Sequence, residues 1–227
     1  MNPRFFADTR DLFKYDLVRA LMEDLAALRH FLFVPMLTRD DGKERDRRDL
    51  TKARAGFLNR DLLAFLEECN ARRERDVTRI CSYFESRGME NDVFAKPFTH
   101  RDRGEYFGEL LAGLRPSSLV LLDPDNGLQT RHPDEKHLLY IEISSVLEAL
   151  DGASLLMVFQ YYPRVDRGVY RARREKEIAR ETGMRPLWIT DNQIIFYLLA
   201  KTGPVRKGAG QILKSYASRY PGLATGS

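Results

Sequence analysis

The sequence predicts an α/β fold built on a mostly parallel sheet, and three observations lead there. Residues 30–37, 119–122 and 153–161 are near-continuous apolar runs rich in β-forming residues, as expected of strands buried on both faces. Helical patterns separate these runs, so strands and helices alternate along the chain. Residues 185–190 and 193–200 form two further apolar runs with only a short polar connection at Asp191-Asn192. A connection that short forces antiparallel pairing. The 227 residues contain no internal repeat and no dividing linker, so residues 1–227 are expected to form a single domain.

Each element follows from its own pattern. Residues 10–28 place Leu12, Phe13, Leu17, Leu21, Leu25 and Leu28 at three- and four-residue spacing, which predicts a helix. The first strand follows at residues 30–37, with Pro35 marking a bulge or its carboxyl end because proline cannot donate a ladder hydrogen bond. Residues 38–56 are the most charged stretch and read as a loop. Asn59 caps a helix carrying Leu62, Leu63, Phe65 and Leu66. A second helix is expected over residues 73–86, a short strand over 92–98, and a helix over 104–114. After the strand at 119–122, residues 137–143 are expected to form a short strand, with Ser144 or Ser145 capping a helix at 146–150. The strand at 153–161 is followed by a charged helix over 165–182 that Gly183 ends. The hairpin comes next, and then a terminal helix over 208–219.

Composition narrows the functional classes. Hydrophobic residues are 43% and charged residues 31% of the chain, a globular balance. No apolar run approaches the ~20 residues of a membrane span, and the first residues lack the basic-then-apolar order of a secretory signal. Cys69 and Cys81 have no Cys-x-x-Cys spacing, which fits a reduced, cytoplasmic protein. The four histidines form no i, i+4 pair, so no metal site is expected from them. The net charge of +4 is mild, but basic residues cluster at 39–54, at 164–180 and in the tail. On electrostatic grounds those segments are candidate contacts for DNA or RNA.

The most informative stretch is the run Ser118-Leu119-Val120-Leu121-Leu122, which stops on Asp123-Pro124-Asp125-Asn126-Gly127. In open α/β sheets ligands bind beyond the carboxyl ends of strands, which places Asp123, Asp125 and Asn126 where chemistry is expected. The same letters also make an ordinary turn. Next along the chain, Gln160-Tyr161-Tyr162-Pro163-Arg164 ends the following strand with aromatic, amide and basic groups.

The order of strands and the closing hairpin resemble the second half of Rossmann-like methyltransferases that use S-adenosylmethionine. In that family the sheet ends in an antiparallel hairpin, matched here by Leu187-Trp188-Ile189-Thr190 and residues 194–199. Amino-methyltransferases of nucleic-acid bases end their fourth strand in Asp/Asn-Pro-Pro and an aromatic residue, to which Asp123-Pro124-Asp125-Asn126 is similar. The resemblance implies a Rossmann-like three-layer sandwich, mostly parallel with an antiparallel last strand. It also implies S-adenosylmethionine as cofactor and a nucleic acid as substrate. Asp123, Asp125 and Asn126 would be catalytic, acting mainly by orienting the target amino group. Pro124, Gln160, Tyr161, Tyr162 and Arg164 would contact substrate, the tyrosines replacing the aromatic that Asn126 displaces. Asp40, Asp41 and Gly42 would border the cofactor. The first-strand turn of that family is glycine-rich, whereas this chain offers Thr38-Arg39-Asp40-Asp41-Gly42.

Two other readings use the same residues. Asp123-x-Asp125 after an apolar strand also resembles the nucleophile loop of haloacid dehalogenase-like phosphohydrolases, in which magnesium joins two aspartates. A nuclease would pair Asp125 with Glu142. A non-enzymatic scaffold would present residues 160–164 to a partner, since tyrosine and arginine are favoured at interface hot spots.

Overall fold

The computed structural model of the protein describes residues 1–39, 49–99 and 101–227. Elements run in the order α1 (Thr9–Asp24), β1 (His30–Val34), α2 (Arg60–Ala71), α3 (Ile80–Glu85), β2 (Glu90–Val93), α4 (Arg103–Ala112), β3 (Ser118–Leu122), α5 (Tyr140–Ala149), β4 (Leu155–Tyr161), α6 (Arg167–Thr182), β5 (Leu187–Thr190), β6 (Ile194–Leu199), α7 (Gly203–Ser218) and β7 (Ala224–Gly226). The seven strands form one sheet in the order β2-β1-β3-β4-β6-β5-β7. β1 pairs in parallel with β2 and β3, and β3 with β4. β6 lies antiparallel between β4 and β5, and β7 is antiparallel to β5.

The alternation of side chains along each strand divides the core into two layers. On one face Phe31, Phe33, Leu119, Leu121, Met157, Phe159 and Phe196 pack with apolar residues of α1, α2, α3 and α7. On the other, Leu32, Val34, Val120, Leu122, Val158 and Tyr197 pack with α4, α5 and α6. The architecture is therefore the three-layer Rossmann-like α/β fold that the strand and helix patterns predict. β7 is an addition: its three residues carry no apolar run, and only pairing with β5 makes them a strand.

Caps explain several boundaries. The Asp8 carboxylate accepts from the Arg10 and Asp11 amides at the start of α1, and Asn59 accepts from Leu62 N at α2. Gly183, at φ 69°, ends α6 in the left-handed conformation.

Several expectations are corrected. Residues 137–143 do not form a strand. Leu138 makes only an isolated bridge with Leu128, and α5 starts at Tyr140 because Glu142 reaches back to the Leu139 amide at 2.8 Å. Ser144 and Ser145 thus lie inside α5 rather than capping a helix. The helix expected over 73–86 is shorter: Arg73 adopts φ 53°, a single tight turn occupies Val77–Arg79, and α3 begins at Ile80. The strand expected over 92–98 runs instead at Glu90–Val93, and Pro97 contributes only an isolated bridge to Leu37. At the other end of the chain α7 starts at Gly203 rather than 208. Pro204 sits in its first turn, where a missing N–H costs nothing.

Candidate functional site

Strand order locates the site before any side chain is considered. From β1 the chain moves outward to β2 and then crosses to β3 on the opposite side of β1. The crevice between the carboxyl ends of β1 and β3 is therefore the topological switch point, where open α/β sheets bind ligands. Asp123 lies at this point, its amide donating to the Val34 carbonyl at 3.0 Å and extending the ladder by one bond.

Three main-chain carbonyls converge there on one cation. The ammonium nitrogen of Met1 donates to Pro35 O at 2.6 Å, Met36 O at 2.8 Å and Asp123 O at 3.0 Å. Burial pushes that ammonium down to about 6, against the opposing pull of Asp123 and Asp125. Met36 carries φ 44° in the turn after β1, a conformation that favours glycine. The turn thus takes the shape of a glycine turn without containing a glycine.

The Asp123 carboxylate is engaged on the side facing α1. Lys14 Nζ lies 2.7 Å from Asp123 Oδ2 and 2.6 Å from Asp11 Oδ1, and all three side chains are almost fully buried. Asp11 also accepts from the Ala7 amide at 2.7 Å. One lysine between two carboxylates leaves an excess of negative charge in a buried place. Burial pushes the Asp11 carboxyl up to about 7, with Lys14 opposing and Asp8 adding to the rise. For Lys14, burial alone would lower the pKa, but the two aspartates overcome it and raise it. What Asp123 presents to the crevice is its carbonyl, not its carboxylate.

Asp125 is the more accessible of the two carboxylates, its side chain 12% exposed against 4% for Asp123. Its Oδ2 accepts from Thr38 Oγ1 at 2.8 Å and lies 3.2 Å from Lys136 Nζ. Burial would raise its pKa, but the Met1 ammonium, Thr38 and Lys136 outweigh that and hold it below the usual carboxylate range. Asn126 is exposed and its amide donates to Asp134 at 2.8 Å, while its main-chain N–H meets Lys136 O. Pro124 O accepts from the Gly127 amide at 3.4 Å.

The loop beyond is shaped by two buried polar side chains. Gln160 Oε1 accepts from the Leu128 amide at 2.6 Å, and its Nε2 donates to Tyr161 O. Gly127 has φ 78°, and a Cβ there would collide with Gln160 Oε1, so the loop runs directly against that amide. Arg174, buried in α6, donates to Gln129 O and to the Tyr140 hydroxyl. Further out, Arg103 pairs with Glu142 through Nε–Oε1 and Nη2–Oε2 contacts of 2.7 Å each.

Tyr161 ends β4 beside this loop, and Tyr162 follows it directly. The Arg10 guanidinium stacks 4.2 Å from the Tyr161 ring centroid, and burial pushes the Tyr161 hydroxyl up to about 12. Tyr162 meets Tyr170 edge-on at 5.8 Å. Arg164 is exposed. Asp40, Asp41 and Gly42 lie outside the described residues.

The fold thus gathers Asp123, Pro124, Asp125, Asn126, Gln160 and Tyr161 around one strand edge, but with unequal access. Lys14, Asp11, Thr38, Lys136 and the Pro35 and Met36 carbonyls belong to the same place and were not singled out from sequence. One signal was present: Asp11 and Lys14 are three residues apart, and Lys14 sits between Phe13 and Tyr15, so a helix burying those rings buries the pair. Among the described residues no three His, Cys, Asp or Glu side chains gather as metal ligands. With Lys14 on Asp123, a cation bridging Asp123 and Asp125 would have to compete with that buried pair. No described helix is long and apolar enough to cross a membrane.

No protein-family model matches the chain. No curated protein matches it in sequence. Among solved structures, it is similar to a Thermobifida fusca YX protein provisionally described as a methyltransferase. That match has 10% identity and a TM-score of 0.41, covering 86% of this chain and 82% of the other. It is also similar to human methyltransferase-like protein 13 in complex with SAH, with 13% identity and a TM-score of 0.37, covering 94% and 92% of the two chains. These likenesses are of outline and carry no residue correspondence. The strand order and the two-sided core are what place this chain among the Rossmann-like α/β proteins.

Proposed function

We propose that the protein is an S-adenosylmethionine-dependent methyltransferase acting on nucleic acid. The observation that carries this reading is the set of three carbonyls holding one ammonium at the switch point between β1 and β3. S-adenosylmethionine ends in an α-ammonium of the same kind, so the acceptor set fits that end of the cofactor. Pro35 O, Met36 O and Asp123 O would hold it, with the Asp125 carboxylate adding a negative charge nearby. Met1 uses the same acceptors, so cofactor binding requires Met1 to leave them. When bound, the cofactor supplies an electrophilic methyl group on a sulfonium.

The chain's own residues would then do two things. Asp125, kept ionised by Thr38 and Lys136, would accept a hydrogen bond from the amino group of a target base. The Asp123–Gly127 loop, held by Gln160, would fix the position of that acceptor. Positioning of this kind is a large share of catalysis when the reagent is already activated.

Titration calorimetry with S-adenosylmethionine, S-adenosylhomocysteine and methylthioadenosine tests the reading. The first two are expected to bind. Methylthioadenosine, which has no ammonium, should bind at least about tenfold more weakly, because a hydrogen bond to a charged group contributes roughly 1.5–3 kcal/mol. Absence of binding by both ammonium-bearing compounds would overturn the proposal.

A further inference from the structure

A second feature opens beside the site, on the same edge of the sheet. Arg10, Tyr162, Arg164, Arg167, Asn192 and Gln193 line an open groove of about 830 Å³. The groove is assembled from three separate parts of the chain: α1, the connection from β4 together with the first turn of α6, and the turn between β5 and β6. Its lining holds three guanidiniums against one carboxylate, Asp166. That carboxylate is already engaged, capping α6 by accepting from the Val169 amide at 2.8 Å. Arg10 lies on the Tyr161 ring, four residues before Lys14 on α1, which joins the groove to the Asp123 site.

We infer that this groove binds a single-stranded polynucleotide, with phosphates on Arg164 and Arg167 and a base against Tyr162. The mixture of groups selects this partner. Guanidiniums recognise phosphate in a planar, two-bonded geometry. The Tyr162 ring is partly buried, edge-on to Tyr170, and lines the groove, where an aromatic face is a stacking surface that any unpaired base can use. Asn192 and Gln193 add neutral amides, which match base edges and would add little to the recognition of an acidic peptide. A duplex hides its base faces, so the tyrosine would be idle against one. This inference deepens the proposed function and rests on it for its biological meaning, but its test needs no cofactor.

The test is fluorescence anisotropy with a labelled 12-nucleotide single-stranded DNA and its RNA equivalent, across a salt series, without S-adenosylmethionine. The parent protein is expected to bind the single strand at least about tenfold more tightly than the matching duplex. Arg164→Ala with Arg167→Ala, both at exposed positions, should lower the slope of log affinity against log salt by about 1.4, since each single-strand phosphate contributes roughly 0.7. Tyr162→Ala should weaken binding by about tenfold or more, and Tyr162→Phe should restore it. The inference is overturned if the arginine double variant keeps the parent's affinity and salt slope. It is overturned equally if duplex or heparin binds as tightly as the single strand, or if no oligonucleotide binds. Binding of oligonucleotide without binding of S-adenosylmethionine would leave the groove standing and remove the methyltransferase reading.

Discussion

Lys14 and Asp123 are 109 positions apart in the chain and their charged atoms are 2.7 Å apart in the fold. The contact ties the first helix to the end of the central strand β3 at the switch point. Both side chains are buried, with Asp11 on the other side of the lysine. Removing the lysine leaves two buried carboxyl groups without their counter-charge.

Lys14→Met is therefore expected to destabilise the protein by about 3–5 kcal/mol, the usual cost of breaking a buried pair from one side. Lys14→Met combined with Asp123→Leu should lose less than the sum of the two single variants, because the second change removes the stranded charge. Urea denaturation of the three variants checks this. Strictly additive losses would show that the pair is not coupled.

The Asp11 carboxyl gives the protein a pH dependence. Its pKa is pushed from 3.8 up to about 7, mainly by burial. An acid with a higher pKa in the folded state binds its proton more tightly there. Its contribution to stability is present below about pH 4 and is lost as pH rises through about 7. Asp11→Asn cannot ionise, so its stability should fall less than the parent's across that window. Parallel slopes for the two proteins between pH 4 and pH 7 would assign the titration to another group.

Gly127 joins the Asp-Pro-Asp-Asn loop to Gln160. Its φ of 78° and the closeness of Gln160 Oε1 to where a Cβ would stand leave no room for a side chain. Gly127→Ala is expected to cost about 1–3 kcal/mol from the left-handed backbone conformation, and more from displacing Gln160. Amide exchange at Leu128, whose N–H donates to Gln160, should speed up before exchange in β3 does. Unchanged protection at Leu128 would show that the loop does not depend on that contact.

The central strands were legible because burial on both faces writes itself as continuous apolar sequence. Leu119 to Leu122 and Leu155 to Phe159 are all buried, as their composition predicts. The hairpin was legible from the short polar connection at Asp191-Asn192, although in the fold the gap between β5 and β6 is three residues long. Residues 137–143 misled because an apolar run of that length suits a strand or a buried helix turn equally. The choice fell to Glu142, whose carboxylate reaches the Leu139 amide and is clamped by Arg103 from a different helix. β7 was illegible because its three residues acquire strand geometry only from β5.

The candidate site shows the same division. Asp123, Asp125 and Asn126 could be placed at a strand end by local pattern alone, since a strand that stops on polar residues needs no partner to be recognised. Their access could not be read that way. Burial of Asp123 on Lys14, exposure of Asn126 and the hold of Thr38 and Lys136 on Asp125 depend on groups between 8 and 109 positions away. Sequence by itself determined the layers, the strand alternation and the edge of the sheet where polar residues collect, because those follow from periodicity and burial within each segment. Only the tertiary structure decided which carboxylate is sealed on a lysine, which is the more accessible, and which carbonyls meet at the switch point. Electrostatic pairing and hydrogen bonding act over a few ångströms, and distance along the chain says nothing of which groups will come that close.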